Sequence, residues 1–450
     1  MTTKNEVIGY LPDERPQPIG LLFFALQQIV VMFPATVLVA LITGFHVSTT
    51  IFASGLATLG FLLVTKGQIP LYYGSSFSYI AAIASIMSAE AFAGYTLNDK
   101  ISIAQFGIIM SGLVSILAGF IIKRSGKKAI DKVLPPTVTG SIAIIIGLSL
   151  AANAMTNAAS VPAGISEALQ ANASGYAWIV AIITLISTIL YSVYLKGSLS
   201  QLPILFGLVT GYIAALIIGN VTGIPFVTFN TIESASILNI PTFTFPKPSL
   251  TAVIAIMPIA IATIPESTAH VYQLDIYVND LAKKKGVSKK YDIENKLGLN
   301  LIGDGIGDII SGFIGGPAGT NYGENISAMA ISKNFSVHVL RLAAVLTMII
   351  SCFTPLINII YSIPTCVIGG LSIYLFGVIA AQGITIMMDK KVDMFSSINL
   401  AVIAVILIVG LGGSFGFPGG MIPMFGIQIP AIATAAMVGI VLNLLLSVKN

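Results

Sequence analysis

The feature that most constrains this chain is a succession of apolar segments, each long enough to cross a bilayer and almost free of charge. A spanning helix needs about 20 mostly apolar residues, with a range of roughly 17–25. On that measure the 450 residues divide into fourteen segments. The first seven lie near 19–43, 48–65, 71–89, 101–122, 134–154, 176–195 and 201–219. A longer polar stretch, 220–249, follows. The second seven lie near 250–273, 294–313, 318–333, 335–354, 363–388, 395–413 and 429–448. Charged residues are 9% of the chain and the mean hydropathy is +0.94, whereas soluble domains carry about 25% charged residues. The expectation is an all-α polytopic membrane protein with fourteen transmembrane segments and no separate soluble domain.

The same counts exclude several functions. The net charge of +4 does not point to nucleic acid, because the basic residues sit in short loops between segments. Cys352 and Cys366 lie in apolar stretches, so no disulfide framework is implied. Residues 1–18, with Pro12, Pro16 and Pro18, read as a polar cytoplasmic tail and not as a cleavable signal. No Cys/His spacing suggests a metal, no Gly-rich loop followed by Lys-Ser/Thr suggests ATP, and no nucleophile–base set suggests an enzyme. No cofactor is expected, and uphill transport would have to draw on an ion gradient.

Loop charge sets the orientation. Lys123, Arg124, Lys127, Lys128 and Lys132 follow segment 4. Lys283, Lys284, Lys285, Lys289 and Lys290 follow segment 8, and Lys390 and Lys391 follow segment 12. Lys66, Lys196, Lys333 and Lys449 also follow even-numbered segments. Odd-numbered loops hold few cations, Lys100 and Lys247 being the clear ones. The positive-inside rule then puts both termini in the cytoplasm.

Segments 3 and 10 are short and interrupted, and they match each other. Segment 3 carries Pro70-Leu71-Tyr72-Tyr73-Gly74-Ser75-Ser76-Phe77-Ser78. Segment 10 carries Pro317-Ala318-Gly319-Thr320-Asn321-Tyr322-Gly323-Glu324-Asn325-Ile326-Ser327. Each is third in its set of seven, so the two sets have opposite orientation. Paired interrupted segments in two halves are the best sequence pointer to a transporter's binding site. Irregular backbone at membrane depth is tolerated only inside protein or against a cavity.

Ionisable groups inside segments are costly, about 2.5–3.5 kcal/mol or more at bilayer depth, so they are candidates for function. Glu266 and His270 in segment 8 are four apart and share a helix face, Pro265 just before them. They could share a proton or hydrogen-bond a planar polar ligand. Glu324 places a second carboxylate at a helix start. Asp304 and Asp308, in Gly303-Asp304-Gly305-Ile306-Gly307-Asp308 of segment 9, read as support or proton-path groups. Their glycine spacing is no dinucleotide fingerprint, because no strand precedes it. His46 lies in the loop after segment 1 and His338 follows the exit of segment 10, and both read as surface residues.

The motif Tyr322-Gly323-Glu324-Asn325 with Met329-Ala330-Ile331 resembles the signature of the nucleobase/ascorbate transporter family, the uracil permease branch being most similar. So do Gly74-Ser75-Ser76-Phe77, Met32-Phe33-Pro34-Ala35-Thr36 and the Glu266/His270 pair. The resemblance runs along essentially the whole chain. It implies two inverted repeats of seven segments, with short strands in segments 3 and 10 pairing antiparallel. It implies a core domain (19–133 and 250–354) and a gate domain (134–249 and 355–450). It implies a bacterial cytoplasmic (inner) membrane transporter that imports a nucleobase by proton symport, sodium being the alternative ion, as a homodimer. The matching carboxylates, Glu266 and Glu324, would hold the base. Phe77, Tyr322 and Gly323 would add contacts, Ala35 would lie close, and His270 would serve proton coupling. Asn325 and Ser76 are possible supports. Where the family usually shows Gln-His in segment 1, this chain has Gln27-Gln28, and Ser267 follows Glu266 where uracil members often carry His. Xanthine or another purine base is the alternative cargo. An anion transporter of the related seven-plus-seven fold, a channel and an intramembrane enzyme are the competing classes.

Overall fold

The computed structural model describes residues 9–125, 133–162, 165, 167–228, 236–424 and 427–447. In chain order its elements are α1 Pro18–Thr43, α2 Val47–Val64, β1 Tyr73–Ser75, α3 Ile80–Ser88 and α4 Leu97–Ser125. Next come α5 Pro136–Ser149, α6 Ala151–Ala158, α7 Glu167–Tyr194, α8 Pro203–Thr222, α9 Leu250–Ile256, α10 Ile259–Lys284 and α11 Leu297–Ile314. Then follow β2 Gly319–Asn321, α12 Gly323–Ser332, α13 Val337–Ile350, α14 Thr354–Tyr361, α15 Thr365–Asp389 and α16 Ser397–Leu407. The last are β3 Met421–Met424, β4 Ile427–Pro430 and α17 Ala431–Ser447. Among the described residues ten helices are long and apolar enough to cross a membrane, and three shorter apolar ones accompany them. The protein is a mostly helical, multi-pass membrane protein.

Several boundaries differ from the hydropathy reading. The eighth segment ends near 273 by apolarity, but α10 runs on to Lys284 because helix geometry does not need an apolar side chain once the chain leaves lipid. Tyr361 closes an extra short helix, α14, which has Pro355 at its start. A hairpin, β3 with β4, precedes α17. Helix α16 continues through a π turn, Ile408–Gly412, to Gly416.

The chain divides into two compact units. One comprises Met1–Lys132 with Pro241–Cys352, the other Val133–Ile240 with Phe353–Asn450. In the second unit α5 packs on α15 where a Cβ on Gly140 would meet Gly383 O at 2.7 Å. In the first unit α11 packs on α4 in the same manner: a Cβ on Gly112 would lie 2.5 Å from Gly305 O, and one on Gly119 would lie 2.6 Å from Gly298 O. Small residues let membrane helices approach this closely, where dispersion replaces the hydrophobic effect as the driving force. The glycine-rich run of α11 thus has a packing cause. Gly305 meets α4, Gly303 meets the Phe61 ring and Gly307 meets the Tyr73 ring, while Asp304 follows Gly303 and Asp308 follows Gly307.

Residues 9–14 strap the first unit. The Tyr10 N–H donates to Lys333 O at 2.8 Å and Tyr10 O accepts from the Phe335 N–H at 2.8 Å. Leu11 is buried, and Lys285 Nζ bonds both Glu14 carboxylate oxygens. Asp13 accepts from Lys289 at 2.7 Å and from the Tyr291 hydroxyl.

Candidate functional site

The site is built on the two interruptions of the first unit. Strands β1 and β2 pair antiparallel, Tyr73 opposite Asn321, Gly74 opposite Thr320 and Ser75 opposite Gly319. The pairing extends by one bond at each end, from the Tyr322 N–H to Tyr72 O and from the Ser76 N–H to Ala318 O, both 3.0 Å. In an antiparallel ladder alternate residues turn their main-chain groups outward, and at membrane depth those groups must find partners within the protein. Side chains supply them. Thr58 Oγ1 accepts from the Tyr73 N–H at 3.1 Å. Ser54 and Thr58 donate to Tyr73 O at 2.8 and 3.0 Å.

Helix α11 provides the rest. Asp308 Oδ1 accepts from the Gly319 N–H at 2.8 Å and from the Tyr73 hydroxyl at 2.5 Å, so one carboxylate holds both strands. One turn earlier Asp304 accepts from Ser267 at 2.7 Å, Asn321 at 2.8 Å and Asn300 at 3.0 Å. Both aspartates are buried. Their contacts are to the strands, to Ser267 of α10 and to Asn300 of α11 itself.

Helix α1 meets the site through Thr36 and Gln28. The Tyr322 hydroxyl bonds Thr36 Oγ1 at 2.9 Å and donates to Ser75 O at 3.0 Å, and the hydroxyl end of its ring lies against Gly74. A Cβ on Gly74 would fall 2.4 Å from that ring, so only glycine fits there. Asn325 Nδ2 donates to Gln28 O at 3.0 Å and to Gln28 Oε1 at 2.8 Å. The Gln28 side chain is therefore a buried acceptor that fastens α12 to α1. Ala35 is buried beside Thr36 in α1.

Around this frame stand the candidate ligand groups. Helix α12 starts at Gly323, and Glu324 lies in its first turn with its side chain exposed. Glu266, half-buried on α10, hydrogen-bonds Ser78 and feels the charge of Glu324. One turn on, His270 reaches the main chain of Asn321, and its Nε2 lies against Gly323, 2.8 Å from where a Cβ would be. His270 Nδ1 is buried without a partner. Phe77, half-buried, opens the short helix after β1, where Ser76 Oγ accepts from the Ser78 N–H at 3.3 Å. Two carboxylates, an imidazole and two helix starts thus converge on the strand pair. Acceptors, donors and main-chain amides in one place suit a planar ligand that both donates and accepts.

The sequence reading singled out neither the hydroxyls of Thr36, Ser54, Thr58 and Ser78 nor Asn300. A lone hydroxyl in an apolar run carries no signal, because such residues commonly bond their own helix. His46 bonds Asn98 at 2.7 Å at the start of α2, away from this cluster.

A family model described as a permease family (Xan_ur_permease) matches residues 19–419. A uracil permease of Bacillus caldolyticus is 36% identical over 441 residues, covering 96% of this chain and 94% of that protein. Among solved structures, SLC26A9 aligns with a TM-score of 0.61 at 13% identity over 96% of this chain, which spans 64% of that longer chain. The transmembrane domain of BicA, a cyanobacterial bicarbonate transporter, aligns with a TM-score of 0.58 at 14% identity, covering 96% of this chain and 99% of that domain. At such identities these two structures share the fold alone. With a family match over most of its length and a full-length relative above the 30% level, the chain belongs to the nucleobase/ascorbate transporter family of permeases.

Proposed function

We propose that this protein is a secondary active transporter that imports a nucleobase, uracil first among them, by proton symport across a bacterial cytoplasmic membrane. The observation that carries the proposal is the placing of Glu266 and Glu324 beside the paired strands, with His270 one turn from Glu266. Uracil presents N–H donors and C=O acceptors in one plane. The carboxylates accept from its N–H groups, and main-chain amides at the starts of the two short helices, near Phe77 and Tyr322-Gly323, donate to its C=O groups. Ala35 leaves room for the ring. His270, Glu266 and Glu324 carry the coupled proton. The name of the relative from Bacillus caldolyticus supports a pyrimidine cargo.

In this reading the chain crosses the membrane fourteen times with both termini in the cytoplasm. The unit that holds the strands serves as the core, the other unit serves as the gate, and movement of core against gate exposes the site to each side in turn. Two copies pair through their gate units. Carboxylates at the site disfavour an anion as cargo, since they would repel it.

Uptake of labelled uracil into cells or proteoliposomes tests the site. Glu324→Gln and Glu266→Ala each abolish uptake, and uptake at the unmodified level in either overturns the assignment. Competition by unlabelled uracil but not xanthine separates the two cargoes. Accumulation stops on adding an uncoupler if protons drive it. Accumulation that persists until sodium is withdrawn identifies sodium instead.

A further inference from the structure

The first unit contains a cavity of about 510 Å³ whose lining includes none of the carboxylate-site residues. Its lining includes the apolar Val64, Ile122 and Leu299 and the cationic Lys66, Lys123 and Lys296, with Glu294 as the one carboxylate. Three cations facing one space and a single acidic side chain leave an excess of positive charge there. Lys66 and Lys123 have neither an ion pair nor a side-chain hydrogen bond among the described residues. Lys296 Nζ spends one of its donors on Tyr291 O at 3.0 Å. Lys66 moreover adopts φ 53° immediately after α2, a left-handed conformation usually left to glycine or asparagine, and Gly67 beside it lies against Arg341. The nearby helix-start amides of Ile293 and Glu294 are already taken by Asp275 Oδ1, so a ligand here would be held by the ammonium groups.

We propose that this cavity binds the phosphate of an anionic phospholipid in the cytoplasmic leaflet. Lys66 and Lys123 follow segments 2 and 4 and Lys296 stands at the start of segment 9, all on the side that loop charge assigns to the cytoplasm, so this inference rests on that orientation. Leu63 and Ile121, the sequence neighbours of Val64 and Ile122, are apolar and 73% and 53% exposed. An amphipathic occupant fits: its phosphate meets the lysines and its acyl chains lie along those side chains. Basic pockets between membrane helices on the cytoplasmic side are the setting in which anionic head groups bind.

Lipid binding is read on the purified full-length protein by native mass spectrometry, with phosphatidylglycerol, phosphatidylcholine and inorganic phosphate as probes. Phosphatidylglycerol is expected to bind in preference to phosphatidylcholine. Each of Lys66→Gln, Lys123→Gln and Lys296→Gln should weaken it about fivefold, the equivalent of roughly 1 kcal/mol per lysine near an anionic surface. Lys247→Gln, on the opposite side, should leave it unchanged. Equal binding of the two lipids, or full retention in all three single variants, overturns the site. Complete displacement of lipid by inorganic phosphate overturns the lipid assignment in favour of a free-phosphate site. None of these readouts depends on uptake, so failure here is distinct from failure of the nucleobase reading.

Discussion

Replacement of Asp308 by alanine and by asparagine separates two roles that a buried carboxylate at membrane depth can have. Its Oδ1 accepts from two donors on different strands, the Gly319 N–H and the Tyr73 hydroxyl. Tyr73 is 1% exposed and Asp308 2% exposed, so water cannot replace the lost acceptor. Alanine orphans both donors at about 1–3 kcal/mol each, or roughly 2–6 kcal/mol together. For a unit of this size 1 kcal/mol moves Tm by about 2–4 °C, so Asp308→Ala should melt roughly 4–24 °C below the parent. Asparagine keeps a carbonyl oxygen at the same place and should lose less than half as much. The assay is thermal unfolding of purified protein in detergent. The two variants melting together would refute the idea that Asp308 acts as the common acceptor of the strand pair.

Other perturbations follow from the same frame. Gly74→Ala puts a Cβ 2.4 Å from the Tyr322 ring. It should destabilise by about 1–3 kcal/mol through overpacking and weaken uracil-induced stabilisation in a thermal-shift assay, and an unchanged ligand response would sink the idea. Asn325→Ala removes both bonds to Gln28. It should loosen α12 and raise the KM for uptake more than it lowers expression, as transport kinetics with matched protein levels would reveal. Burial is the largest single influence on Asp13 and pushes its carboxyl up, but the hydrogen bonds from Lys289 and Tyr291, a main-chain hydrogen bond and the Lys289 charge together outweigh it, so the carboxyl lies below its ordinary 3.8. A group depressed on folding stabilises above its unfolded value and loses that contribution as pH falls through its folded value. Proteolysis at residues 9–14 should therefore stay constant from neutral pH down to the ordinary carboxylate range and quicken below it. Constant proteolysis throughout would contradict the strap.

Much of the site was legible because membranes make polarity expensive. Glu266, His270, Glu324, Asp304 and Asp308 stood out as charges where few are tolerated, and the Gly/Pro breaks at 70–76 and 315–323 stood out against continuous apolar helix. What those charges touch was less legible. Asp304 and Asp308 read as a pair four apart on one helix, yet one serves Ser267, Asn300 and Asn321 and the other serves Tyr73 and Gly319. Gln28 read as the absence of a titratable group, yet its amide holds Asn325 from almost 300 positions away. No local period records such partners. They depend on which helix faces which, and that follows from close approaches such as Gly112 on Gly305.

By itself the sequence determined that this chain lives in a membrane, roughly where its apolar elements begin and end, and that two of them are broken in matching places. Those are one-dimensional properties, set by the length of hydrocarbon to be crossed and by the cost of polar groups within it. Only the tertiary structure decided that the two breaks become one antiparallel pair, that side chains of α2 and α11 satisfy its outward-facing backbone, and that Glu266, His270 and Glu324 gather beside it. The physical reason is that a buried hydrogen bond needs its partner within about 3 Å in space, whatever the separation along the chain.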